Sequence, residues 1–167
     1  ETVDKKFTFV RPVLIKNLVR LGCDNDGGYV VSEEIVKNWE PMQDYINLNN
    51  QTNFLKTHNA MCTINGNSFT DSKQSLGAIY LVRDPRDVVM SYSDHLQQNH
   101  SDVVQSLLNS NTFEEGMIDN KKYNFTLLGS WGDHYSSWKN YTGINVLIIK
   151  YEDLVSNTFL TFEKILK

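Results

Sequence analysis

The sequence is poor in cysteine, in excess positive charge and in long apolar runs. Its two cysteines, Cys23 and Cys62, form no C-x-x-C pair, which excludes a zinc-ligand spacing and a disulfide framework. The formal net charge is −4, whereas a domain that binds nucleic acid through bulk charge is usually strongly basic. No apolar run approaches the ~18 residues that span a bilayer. We therefore expect reduced thiols and a cytoplasmic protein with neither a membrane segment nor a nucleic-acid partner.

The length of 167 residues allows a domain of ordinary size with a sizeable core. Within residues 1–38, the turn signal Cys23 to Gly28 (CDNDGG) precedes the strand-like run Tyr29 to Val31, which predicts a β-hairpin. We assign residues 1–38 to a hairpin-containing segment whose origin the sequence leaves open, and residues 39–167 to an α/β domain. The sequence starts without methionine and ends within a predicted helix, as expected of a piece cut from a longer chain.

Strands alternate with helices in residues 39–167. The apolar runs Ala78 to Val82 and Asn145 to Ile149 lack polar alternation, which is typical of strands buried on both faces of a parallel sheet. Helices are predicted after the first run, over Leu127 to Trp138, and over residues 159–166. This order predicts the α/β class, with a largely parallel sheet flanked by helices. The remaining assignments are a short strand at 53–57, loops at 40–52 and 63–75, and one or two short helices within 101–118.

The most informative segment runs from Ile79 to Tyr92 (IYLVRDPRDVVMSY). Its strand ends in Arg83, whose guanidinium keeps its charge and offers a bidentate fork. A helix follows at once, with Asp84 as N-cap and Pro85 at its first position, so free backbone N–H groups lie near the arginine. Ser91, two turns further on, adds a hydroxyl. This combination predicts a phosphate site, because open α/β sheets bind ligands at the carboxyl ends of their strands. The alternative is an ordinary βα junction with a surface ion pair.

This segment resembles the 3′-phosphate-binding motif of sulfotransferases, in which an arginine at a strand end and a serine eight residues later hold the sulfate donor. Arg83 and Ser91 match that spacing. Phe54 to His58 (FLKTH) resembles the strand end that carries the catalytic histidine of the family, and Gly129 to Leu154 resembles its later helix and strand. The resemblance covers about residues 41–167 and implies an incomplete P-loop-type sulfotransferase fold.

The resemblance also implies an activity: transfer of a sulfuryl group from 3′-phosphoadenosine 5′-phosphosulfate to a hydroxyl or amine of a small-molecule or glycan acceptor. His58 is then the general base, because an unperturbed imidazole titrates near neutral pH. Lys56 stabilises the charge that develops during transfer. Arg83 and Ser91 anchor the nucleotide, and the scheme requires no metal.

Other histidines and the tryptophans carry no assigned chemistry. For His58 itself, the alternative is a solvated histidine at a strand end. The spacing of Trp131 and Trp138 places them on one helix face, which predicts packing in the core. The histidines without an assigned role are His95, His100 and His134.

Two parts of the family pattern are missing from the sequence. No Gly-rich loop with a lysine, which would cradle the 5′-phosphosulfate, precedes His58, and the late nucleotide-closing segment is missing too. One alternative is that a partner chain, an oligomer or further residues complete the site. Another is a truncated or degenerate sulfotransferase-like binding module without catalysis. A methyltransferase-related protein, indicated by residues 18–31, is a third and weaker alternative.

Overall fold

The computed structural model describes residues 36–49, 51–118 and 121–166, and only the backbone within 113–125. The hairpin predicted at residues 23–31 lies outside this part of the chain, as does Cys23. The helices are α1 Trp39–Asn47, α2 Pro85–Leu96, α3 His100–Leu108, α4 Trp131–Lys139, α5 Tyr151–Ser156 and α6 Thr158–Leu166. The strands are β1 Thr63–Ile64, β2 Asn67–Ser68, β3 Gly77–Val82, β4 Phe113–Ile118, β5 Lys121–Leu127 and β6 Asn145–Lys150.

The centre of the fold is the parallel pair β3–β6, whose register runs from Gly77 opposite Asn145 to Val82 opposite Lys150. This confirms the predicted α/β class with parallel strands and flanking helices. The prediction that the run in β3 is buried on both faces is wrong, because Ile79 and Leu81 are 45% and 54% exposed. The described residues place only two strands in this sheet. An apolar run shows that a strand is hydrophobic, but its burial depends on which helices or strands cover each face of the sheet.

The remaining strands form two antiparallel hairpins. β1 and β2 are joined by Asn65 and Gly66, both at positive φ, within the predicted loop 63–75. β4 pairs with β5, with an irregularity between Gly116 and Met117. The prediction of helices over 101–118 is therefore right for α3 and wrong for β4.

Helix α1 replaces the loop predicted at 40–52. Its apolar residues Trp39, Met42 and Ile46 have helical spacing, which the polar and Asn-rich composition of the segment obscured. The side chain of Gln43 anchors the helix by donating to the carbonyl of Phe69 at 2.7 Å. Trp39 also packs edge-on against the ring of Phe69, with 5.4 Å between the centroids.

An aromatic cluster connects the helices to the parallel strands. The Phe69 ring packs edge-on against Trp138, which is 5% exposed, as predicted for a core residue. On the other side, Tyr80 of β3 lies 6.4 Å from Trp138 and 6.1 Å from Tyr135 between ring centroids. Trp131 is half-buried and stacks on Tyr135. These ring contacts pack helix α4 against β3 and so fix the position of the side chains that α4 carries.

The half-buried Cys62 is a free thiol in the part of the chain that the structure describes. Burial raises its pKa above the ordinary value, and a hydrogen bond from Asn59 opposes that rise only in part. The raised pKa keeps the thiol protonated and unreactive at neutral pH.

Candidate functional site

A cavity of about 550 Å³ lies beside the carboxyl end of β3. All four residues that the sequence singled out line it: Lys56, His58, Arg83 and Ser91. They come from the segment before β1, from the end of β3 and from α2, so the fold brings together groups that are distant in the sequence. The other lining residues are Val88, Tyr92, His95 and Leu128.

Arg83 enters the cavity with part of its hydrogen-bonding capacity unused. Its guanidinium carbon lies 4.8 Å from the ring centroid of Tyr151, a cation–π distance. Its Nε is 3.9 Å from a carboxylate oxygen of Asp87, which is too long for a hydrogen bond. Nε is buried and has no hydrogen-bond partner among the residues described. A buried donor without an acceptor costs about 1–3 kcal/mol.

The second arginine of the segment, Arg86, has a different role. Its side chain is 88% exposed and pairs with the carboxylate of Asp84, with Nε donating at 3.0 Å. This hydrogen bond is the main reason that the pKa of Asp84 falls to about 2. The Asp84 side chain also accepts from the backbone N–H of Arg86, which confirms the predicted N-cap of α2. Arg83, and not Arg86, therefore faces the cavity.

The junction between β3 and α2 is held by residues that the sequence analysis left without a role. The backbone N–H of Asp84 donates to a carboxylate oxygen of Glu152 at 3.2 Å, and Tyr151 is the residue that stacks on Arg83. Backbone hydrogen bonds, first from its own N–H and then from Asp84, lower the pKa of Glu152. Both residues open α5 directly after β6. Their proximity to Arg83 could have been predicted from the sequence, because the carboxyl ends of two paired parallel strands meet at one edge of the sheet.

His58 lies on a segment without regular secondary structure, so the strand predicted at 53–57 is wrong. The residues that follow it are tied to β5 and α4 instead. The N–H of Leu127 donates to the side-chain oxygen of Asn59 at 2.7 Å, and the N–H of Ala60 donates to the carbonyl of Leu127 at 2.7 Å. The indole N–H of Trp138 donates to the carbonyl of Asn59 at 3.0 Å. These bonds fix the backbone next to an exposed imidazole.

Replacing Trp138 by phenylalanine tests how much this anchoring stabilises the protein. We expect the free energy of unfolding to fall by about 1–3 kcal/mol, because the buried carbonyl of Asn59 loses its donor. Urea unfolding monitored by far-ultraviolet circular dichroism measures the change. Trp131→Phe is the matched control, since the Trp131 ring stacks on Tyr135 at a half-buried position. Equal losses in the two variants would contradict this account of the His58 segment.

His134 of α4 is half-buried, and this burial lowers its pKa below the ordinary value of 6.5. As the pH falls through about 6.5, the unfolded chain takes up a proton that the folded chain resists, so acidification destabilises the fold. We expect the wild type to lose more stability than His134→Gln between about pH 7.5 and 5.5. Urea unfolding at several pH values measures this difference. The carboxylates are common to both proteins, so their contributions to the pH dependence cancel when the two profiles are subtracted. Parallel pH profiles would contradict it.

Fold and cavity together define an α/β protein with a cationic site beside the end of a parallel strand. A family model described as "Sulfotransferase domain" matches residues 13–167. The chain therefore belongs to the sulfotransferase family. The match begins inside the segment 1–38, and the domain boundary at residue 38 stays a prediction.

Curated relatives give the same family. The chain is 33% identical over 101 residues to 3-alpha-hydroxysteroid sulfotransferase of Cavia porcellus. It is 32% identical over 99 residues to sulfotransferase 2A1 of Mus musculus. Each match includes 59% of this chain and 32% of the relative, so the matched region spans about a third of the length of these proteins. In the part of the chain that the structure describes, no helix has the length and apolarity to cross a bilayer.

Proposed function

We propose that this chain binds 3′-phosphoadenosine 5′-phosphosulfate through Arg83 and Ser91 and transfers its sulfuryl group to an acceptor hydroxyl or amine. One observation carries the proposal: Arg83, whose buried Nε has no described hydrogen-bond partner, lines a cavity that Ser91, Lys56 and His58 also line. An acceptor oxygen of a phosphate is the group that this donor lacks. The cytoplasmic setting predicted from the scarcity of cysteine belongs to the same proposal.

The charge of the cavity favours a polyanionic ligand. Among the described residues that line the cavity, Lys56 and Arg83 have basic side chains and none has a carboxylate. The chain as a whole has a formal charge of −4, so the cavity differs in sign from the protein around it. Arg83 is held in place by Tyr151 on one side and approached by Asp87 on the other, so its fork is oriented before a ligand arrives.

The transfer step assigns one task to each remaining group. His58 accepts the proton of the acceptor O–H or N–H while the acceptor atom bonds to sulfur. The bond between sulfur and the bridging oxygen of the donor breaks, and the 5′-phosphate of 3′-phosphoadenosine 5′-phosphate leaves with the electron pair. Lys56 stabilises the negative charge on the transferred group and on the leaving phosphate. The relative from Cavia porcellus is named for hydroxysteroids, which makes these alcohols the first acceptors to test.

A second candidate function is nucleotide binding without turnover. It is favoured by the sequence, in which no Gly-rich loop with a lysine precedes His58 to cradle the 5′-phosphosulfate. A chain of this kind would keep the Arg83–Ser91 site and depend on other residues or a partner for catalysis.

Two ligands that differ by one phosphate test the proposal. We expect 3′-phosphoadenosine 5′-phosphate at ~100 times its Kd to stabilise the chain by about 2.7 kcal/mol, a melting shift of roughly 5–10 °C. Adenosine 5′-phosphate, which lacks the 3′-phosphate, should give little shift at the same concentration. Transfer of labelled sulfate from the donor to hydroxysteroids, phenols and amines then separates the enzyme from the binding module. Equal shifts with both nucleotides, or none, would overturn the 3′-phosphate site.

A further inference from the structure

His134 connects the segment that carries His58 to the parallel sheet. Its Nε2 lies 3.1 Å from the carbonyl oxygen of His58, and its Nδ1 lies 2.9 Å from the hydroxyl of Tyr80 on β3. The rings of Tyr80 and His134 are also in contact, with 5.6 Å between their centroids. The imidazole therefore bridges two parts of the chain that the backbone does not pair.

The partners determine the tautomer. A carbonyl oxygen can only accept, so Nε2 of His134 must carry the proton and donate to His58. Nδ1 is then unprotonated in the neutral ring and accepts from the hydroxyl of Tyr80. Burial favours both neutral forms, since it lowers the pKa of His134 and raises that of Tyr80 to about 12. The two hydrogen bonds and the two neutral groups are mutually consistent.

The position of this hydrogen bond distinguishes it from the others in the region. Other bonds involve residues 59–61, which follow His58. Trp138 and Leu127 donate to Asn59, and the N–H of Met61 donates to Oγ of Ser137. The bond from His134 falls on the carbonyl of His58 itself. The N–H of the same peptide group, which belongs to Asn59, donates to Oγ1 of Thr57 at 3.0 Å, a bond within the segment that does not connect it to α4 or the sheet. Rotation of that peptide group would change the direction in which the imidazole of His58 leaves the backbone.

We propose that His134, as the neutral tautomer protonated on Nε2, is a positioning residue that holds the carbonyl of His58 and thereby orients the His58 imidazole in the cavity. The inference rests on the proposed function, in which His58 is the general base. His134 itself does not line the cavity and acts through His58. Arg83 directly follows β3 and Ser91 lies on α2, so nucleotide binding does not require this hydrogen bond.

Four variants separate positioning from general stability. In His134→Ala the donor is lost, and we expect kcat to fall about 10- to 100-fold, as small misplacements of catalytic groups do, with the Kd for 3′-phosphoadenosine 5′-phosphate within about twofold. His134→Gln places an amide donor near the position of Nε2 and should recover much of kcat. Tyr80→Phe removes the group that fixes the tautomer and should have an intermediate effect. His100→Ala, at the exposed first position of α3, is the matched control.

Nitrogen-15 spectra of the histidine rings test the inference without turnover. We expect His134 to be protonated on Nε2 and unprotonated on Nδ1 at pH 7.5, and the His58 ring signals to shift or broaden in His134→Ala but not in His100→Ala. If the wild type binds the nucleotide and transfers no sulfate, the transfer step of the proposed function fails and these spectra alone decide the role of His134. Protonation on Nδ1, unchanged His58 signals, or a kcat that falls only in parallel with nucleotide affinity would overturn the inference.

Discussion

Replacing Arg83 by alanine is expected to abolish the rise in melting temperature that 3′-phosphoadenosine 5′-phosphate gives the wild-type chain. The guanidinium supplies the charge-assisted donors of the site, and its buried Nε has no described protein acceptor to satisfy it. A wild-type shift of roughly 5–10 °C at ~100 times Kd should therefore fall to nearly zero at the same concentration. Differential scanning fluorimetry measures the shift, and isothermal calorimetry gives the Kd.

Arg86→Ala is the matched control for this experiment. Arg86 lies three residues further along the same segment, but its side chain is 88% exposed and pairs with Asp84 outside the cavity lining. The N-cap of α2 uses the backbone N–H of Arg86, which alanine keeps. The nucleotide shift should survive in this variant. A loss of binding in Arg86→Ala with normal binding in Arg83→Ala would reverse the assignment of the two arginines.

The second large effect is expected for His58→Ala. Removing a general base slows the reaction by about 10²- to 10⁴-fold, so kcat should fall by that factor. The affinity for 3′-phosphoadenosine 5′-phosphate should change little, because Arg83 and Ser91 stay in place. Initial rates of sulfate transfer at saturating donor measure kcat, and calorimetry measures the nucleotide affinity.

His100→Ala is again the control, since His100 is exposed at the start of α3 and does not line the cavity. Its kcat should match that of the wild type. If His58→Ala retains wild-type kcat, the base lies elsewhere, and His95 on the same cavity wall becomes the next residue to replace. His95 lies one helical turn beyond Ser91 and stacks against Tyr92, with 6.4 Å between the ring centroids.

The relation between sequence and structure differs among the segments of the site. Around Arg83 the information is local: an apolar strand, an N-cap, a proline and a helical spacing all lie within fourteen consecutive residues. Each of these features acts over one or two turns, so the motif alone places Arg83 at a strand end and Ser91 on the following helix. The structure confirms these positions, and their roles in binding stay a proposal.

The Lys56–His58 segment is the opposite case. Its residues resemble a strand, but a strand needs a partner, and none of the described strands pairs with residues 53–57. Its conformation is set by hydrogen bonds from α4 and β5, which lie far along the chain. Such contacts leave no periodic signal in the segment itself. The sequence analysis consequently assigned no role to His134, although its ring is hydrogen-bonded to the carbonyl of His58.

The family resemblance, the α/β class and the local geometry of the Arg83–Ser91 motif could all be predicted from the sequence, because hydrophobic runs, caps and spacing act over short distances. The three-dimensional arrangement was needed to see which arginine faces the cavity, that Tyr151 and Glu152 support it, and that α4 holds the His58 segment. These depend on which elements lie side by side. That arrangement follows from the pairing of β3 with β6 and the packing of Tyr80 against α4, both of which join residues more than fifty positions apart.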